Sequence, residues 1–184
     1  MEQVRLFIAL TLSILLQWAV RSIAEPLAYI DFPLIVVVYA ALQGNTIRAL
    51  FLATIAGISI DALSGGLLGA NGFSKTLVVY LASEIARRVY MENLLLRVLL
   101  LASLSLIHGF VYYGVHRLLG QTMTDDFLSL IFYYTLATTI AGVFLFIILD
   151  TLILEGLSGV KKYEFFSIRR QPRRRNPIRL GRRL

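Results

Sequence analysis

Residues 61–76 read Asp-Ala-Leu-Ser-Gly-Gly-Leu-Leu-Gly-Ala-Asn-Gly-Phe-Ser-Lys-Thr. Two readings compete for this stretch, and they lead to different folds. Its last eight residues fall one position short of the phosphate-loop pattern G-x-x-x-x-G-K-[ST], because Ser74 stands where that pattern has glycine. A phosphate loop follows a β-strand in a soluble βαβ unit. Here the residues upstream are apolar and small, with Ala49, Ala53, Gly57 and Asp61 at four-residue steps. That is helical spacing, and small residues so placed let helix backbones approach closely in lipid. The stretch therefore reads as a glycine-rich turn between two membrane helices, not as a nucleotide site.

The rest of the chain agrees. Of 184 residues, 58% are hydrophobic and 16% charged, and the mean hydropathy is +0.75. Soluble domains carry about 25% charged residues. Six apolar segments stand out, at 4–21, 27–43, 47–64, 73–90, 94–118 and 127–154. Spanning ~30 Å of hydrocarbon takes about 20 helical residues. The predicted class is an all-α integral membrane protein. Residues 1–158 form a six-helix transmembrane domain, and residues 159–184 a basic tail. The second segment is the weakest, since only Leu34 to Leu42 is strongly apolar. Asp31 and Pro33 at its start suit a capped first turn, where proline's missing N–H costs nothing. A short, tilted or partly buried helix fits. Should it fail to cross, the termini fall on opposite sides. The run Leu6 to Val20 leads into Arg21 and Glu25, not into a small-residue cleavage site, so no removable signal sequence is expected. The chain has no cysteine, which excludes a disulfide framework and a thiolate zinc site.

Charge orients the bundle. With six crossings and a cytoplasmic N-terminus, Arg5, Arg48, Arg87, Arg88, Arg97 and the tail lie inside, and only Arg21, Lys75 and Arg117 outside. Cytoplasmic segments are enriched in Lys and Arg, so both termini are expected in the cytoplasm. Trp18 and Tyr29 then fall near the outer interface, which favours amphipathic rings.

A carboxylate inside a bilayer needs a partner. The spacing offers Lys75 as the partner of Asp61 across a turn built from Ser64, Gly65, Gly69, Asn71 and Gly72. This is either a cap and ion pair that fixes the hairpin, or a polar pocket that docks a partner. Ala49, Ala53 and Gly57, and likewise Thr138, Thr139 and Gly142, offer small-residue faces to a partner helix or a homodimer. His108, Tyr112 and His116 share a face. The two histidines lie ~12 Å apart along a helix and cannot ligate one metal, so His108 is expected to bond a facing Ser, Thr or carbonyl. Glu84 reads as a surface partner of Arg87 and Arg88. Asp150 is expected to pair with Arg48, Arg87 or Arg88. These groups do not converge as an acid–base set, so neither a catalytic site nor a cofactor is expected. The tail carries eight arginines from Arg169 on, among them Arg170, Arg173, Arg174 and Arg175, with two prolines and no apolar period. It is expected to be disordered and to contact anionic lipids or an acidic partner. Without stacking aromatics or a folded reader, nucleic acid is not expected.

Residues 33–42, Pro-Leu-Ile-Val-Val-Val-Tyr-Ala-Ala-Leu, then Gly57, then Asp61 to Leu77, and then Tyr80-Leu81 resemble the signature of the rod shape-determining MreD family. The match is good over about residues 30–81 and elsewhere rests on hydropathy and length. The resemblance implies a non-catalytic membrane scaffold of the bacterial elongation machinery, in the inner membrane. It implies binding to the bitopic protein MreC, a link to the actin-like MreB, and support of peptidoglycan synthesis by RodA and its transpeptidase. The family resembles in architecture the six-helix S-components of energy-coupling-factor vitamin transporters. A substrate-binding S-component is thus the alternative, although Ala9 with Ser13 is an imperfect version of its A-x-x-x-A docking pair.

Overall fold

A computed structural model describes residues 2–23, 27, 29–89, 91, 93–120 and 126–154. Its six helices are α1 (Glu2–Ile23), α2 (Phe32–Leu42), α3 (Thr46–Ser64), α4 (Ala70–Arg88), α5 (Leu94–Leu118) and α6 (Phe127–Leu154). The arginine-rich tail, including Arg169, Arg170, Arg173, Arg174 and Arg175, lies outside the described residues.

Helix α2 is the centre of the bundle. Every residue from Pro33 to Ala41 is buried, and all five other helices pack on it. An apolar circumference lets every side of it pack on a neighbouring helix. At 1.5 Å per residue it is ~16 Å long, about half the hydrocarbon thickness. The span expected at 27–43 therefore contracts to 32–42. Its start is fixed by Asp31, which accepts from Leu34 N–H at 2.9 Å, with Pro33 in the first turn.

The outer helices wrap this core. On α1, Leu6, Leu10, Ser13 and Gln17 are buried while Phe7, Ile8, Leu12, Leu15 and Trp18 are exposed. Both faces are largely apolar, as suits a helix between protein and lipid. Four helices are long and apolar enough to cross a membrane: α1, α3, α5 and α6. Helix α4 has 19 residues, or ~28 Å. Its buried face carries Asn71, Ser74, Lys75 and Ser83, which makes it too polar to join that set.

Helices α3 and α4 form a tight hairpin. Helix α3 ends at Gly65 with φ 63°, and Gly69 at φ 96° starts α4. Glycine adopts these left-handed conformations without Cβ strain. Lower down, the backbones touch: a Cβ built on Gly57 would collide with the backbone of Asn71 and Gly72. Thr54 and Thr76 hydrogen-bond across the same interface at 3.0 Å. The two small-residue faces read from sequence as partner surfaces are thus occupied within the chain. Ala49 and Ala53 are fully buried in the core, and Gly57 is covered by α4. Thr138 is fully buried, and a Cβ on Gly142 would collide with Leu101. Thr139 turns back to the Thr135 carbonyl at 2.7 Å.

Candidate functional site

The Asp61 carboxylate is 1% exposed and lies over the start of α4. It accepts from Gly69 N–H at 2.8 Å, Asn71 N–H at 3.0 Å, Asn71 Nδ2 at 2.8 Å and Gly72 N–H at 3.4 Å. The first N–H groups of a helix lack intrahelical acceptors and carry partial positive charge. Gly69 has no side chain to cap them, so a residue from the preceding helix does so. Ser64 does not join in; its hydroxyl donates to the Asp61 carbonyl at 3.2 Å.

The expected Asp61–Lys75 pair does not form. A carboxylate has about four lone-pair sites, and four donors already fill those of Asp61. Lys75 lies ~7.5 Å farther along α4 than Ala70, fully buried, and its ammonium pairs with Asp31. It also reaches His108 Nε2 at 3.3 Å. Tyr134 OH donates to Asp31 Oδ2 at 2.7 Å, and His108 Nδ1 lies 3.0 Å from the same hydroxyl oxygen. One tautomer satisfies every contact. His108 donates from Nδ1 to Tyr134, and its Nε2 lone pair accepts from Lys75. The four side chains close into a ring of hydrogen bonds, one cation against one anion, drawn from α4, the α2 cap, α5 and α6. His108 therefore meets Lys75 and Tyr134 instead of the expected Ser, Thr or carbonyl.

Asp31 is the hub of this ring. Its own N–H donates to Thr138 Oγ1 at 3.2 Å, and the next N–H, of Phe32, donates to Gln17 Oε1 at 3.1 Å. Every other helix except α3 thus converges on the cap of α2. His108 is ~21 Å from the start of α5 and ~15 Å from its end, so the ion pair lies in the half of the bundle toward the end of α5. The sequence carries a signal for it. A lysine enclosed in an apolar bundle demands a carboxylate, and once Asp61 is consumed as a cap, Asp31 is the acid that shares its end of the bundle. Tyr134 and Gln17 carry no signal of their own within their apolar runs.

A second polar cluster lies at the other end. Asp150, 3% exposed, accepts from Arg97 Nη1 at 3.1 and 3.2 Å and from Tyr39 OH at 2.8 Å. Arg97 also donates to the Met91 carbonyl at 2.6 Å. The expected partners Arg48, Arg87 and Arg88 are engaged elsewhere or exposed. Arg48 donates to Gln43 Oε1 at 2.9 Å, Arg87 pairs with Glu84 at 3.1 Å and reaches Thr46 at 3.1 Å, and Arg88 is exposed. Arg97 prevails because the first turn of α5 lies beside the last turns of α6.

Beside the Asp31 ring is a cavity of about 230 Å³, lined by Gln17, Tyr29, Asn71, His108, Tyr112 and Tyr134 among others. His108 stacks between Tyr112 and Tyr134, with ring centroids 6.2 and 5.7 Å away. The ring borders this cavity through Asp31, His108 and Tyr134, and the α4 cap borders it through Asn71.

Among known proteins, the sequence model of one family, described as rod shape-determining protein MreD, matches residues 2–166. No curated protein and no solved structure matches the chain at a significant level.

Proposed function

The chain belongs to the MreD family of rod shape-determining proteins, and on that premise we propose that it is a non-catalytic membrane scaffold of the bacterial cell-elongation complex. In this role it binds MreC, acts alongside MreB, RodA and its transpeptidase, and supports peptidoglycan synthesis. The observation that carries the reading is the family match over residues 2–166, which takes in all six helices. The internal chemistry is consistent with it. The charged groups of the core hydrogen-bond one another across helices, which suits them to hold a shape.

The proposed setting is the inner membrane, with six crossings, both termini cytoplasmic, and an architecture like that of transporter S-components. Helix α2 supplies the inner half of its crossing and is met at its outer end by the non-helical Ile30 and Asp31. Irregular backbone at membrane depth is tolerated where protein buries it or it lines a cavity. Cation clustering supports the orientation. Arg5 meets the Leu152 carbonyl at 2.9 Å, Arg87 meets Thr46 and Arg97 meets Asp150, so these cations share one end of the bundle, as positive-inside placement requires.

Co-purification with MreC from native membranes tests the scaffold reading; a complex is expected, and its absence would remove the reading. A tightly retained vitamin in native mass spectrometry would favour the S-component alternative. For orientation, the chain has no cysteine, so Leu68→Cys in the exposed α3–α4 turn gives a single label site. An impermeant maleimide should label it from outside intact cells; labelling only after lysis would overturn the topology.

A further inference from the structure

Two side-chain amides line the cavity, from Gln17 and Asn71, and these residues are only 4% and 7% exposed. The surrounding network fixes which way each amide is turned. Gln17 Oε1 accepts from Phe32 N–H, so Nε2 is its remaining end. Asn71 Nδ2 must face the Asp61 carboxylate, to which it donates at 2.8 Å, so Oδ1 is its remaining end. Among the described residues neither remaining end has a hydrogen-bond partner, and neither is sealed from access. The wall therefore presents one unpaired N–H donor group and one unpaired C=O acceptor.

The other walls narrow the chemistry of what meets them. The Lys75 ammonium and the Asp31 carboxylate neutralise each other, and His108 is satisfied within the ring. Asp31 is the one charged residue of the lining, and its carboxylate is already paired with Lys75, so a charged ligand meets no unpaired counter-charge among the described lining residues. Tyr29, Tyr112, Tyr113 and Phe127 add aromatic surface, which favours a flat ring. A volume of about 230 Å³ exceeds the ~150 Å³ of an apolar cavity that takes up benzene, enough for one ring with a small substituent.

We propose that this cavity binds an uncharged single-ring molecule bearing a carboxamide. Its C=O accepts from Gln17 Nε2, its N–H donates to Asn71 Oδ1, and its ring lies among the tyrosines. The site is independent of the scaffold role and of any transport.

The test uses the full chain in lipid nanodiscs and the ¹⁹F signal of 4-fluorobenzamide. Saturable broadening is expected, reversed by unlabelled benzamide. Benzoate has the same ring with a charge and toluene the ring without an amide; each should need at least tenfold higher concentration to compete. Gln17→Glu keeps the acceptor for Phe32 N–H but turns the donor into an acceptor, and should weaken binding at least tenfold. Toluene competing as well as benzamide would reduce the effect to apolar partition and overturn the proposal. No saturable broadening would mean that the cavity holds only water, and would overturn it equally. Should Gln17→Glu fail to fold, the ranking of the three competitors on the unaltered chain decides alone. Loss of MreC co-purification leaves that ranking untouched, so the two readings fail separately.

Discussion

Replacing Lys75 by methionine keeps most of the side-chain length and volume but removes the ammonium. Asp31, with 10% side-chain exposure, then retains, among the described residues, Tyr134 OH and Leu34 N–H as donors to its carboxylate. Removing one partner of a buried ion pair costs about 3–5 kcal/mol, whereas exchanging both for neutral groups of similar volume is often close to neutral. A single hydrogen bond between membrane helices averages about 0.6 kcal/mol and reaches about 1.7. The two magnitudes are far enough apart to tell an ion pair from a hydrogen bond. Lys75→Met should therefore lower stability by about 3–5 kcal/mol, two to three and a half decades in the unfolding constant. Asp31→Asn alone should cost a similar amount, since it strands the lysine. The double variant should recover to within about 1–2 kcal/mol of the unaltered chain, because the substituted amide oxygen still caps Leu34 N–H while no charge remains unpaired. Unfolding by sodium dodecyl sulfate in mixed micelles, followed by circular dichroism, gives all three values and their coupling. A Lys75→Met loss below about 1 kcal/mol would refute the reasoning. So would strong coupling of Lys75→Met to Asp61→Asn in place of Asp31→Asn.

Gly57→Ala should cost about 1–3 kcal/mol by forcing α3 away from the α4 backbone. Gly114→Ala, with open space around it on α5, should be stabilising by up to about 1 kcal/mol through helix propensity; the same unfolding assay compares the pair. Asp61→Ala should cost about 1–3 kcal/mol and speed amide hydrogen exchange selectively at Gly69, Asn71 and Gly72, the three N–H groups it caps. Arg97→Met should fall at the low end of the ~3–5 kcal/mol range for a broken buried pair, because the arginine side chain keeps 20% exposure. A loss equal to that of Lys75→Met would show that depth does not govern these pairs.

How much was legible in the sequence depends on the range of the interaction. The helices were, because periodicity and glycine punctuation are local: α5 and α6 fall on 94–118 and 127–154 as read. The Asp31 cap with Pro33 was legible for the same reason. The partners of buried charges were not. Asp61 and Lys75 lie close in sequence and carry opposite signs, yet the helix terminus between them competes for the carboxylate and wins with four donors. Asp150 went to Arg97 because of how α5 and α6 meet, which no local pattern encodes. The small-residue ridges pack within the chain itself, a choice of contact that no local pattern encodes. Tyr134, Tyr39 and Gln17 were missed because one hydroxyl or amide in an apolar run announces nothing until its partner is in view.

The shortness of α2 bears on how the chain is made. Eleven apolar residues are too few to settle in a bilayer unaided, and a lysine on α4 is costly to deliver there alone. Each becomes acceptable when the other is present: the aspartate at the tip of one cancels the charge on the other. The expected insertion is therefore joint, with α2 and α4 entering the bilayer together. The element least able to insert by itself is the one around which the rest assembles.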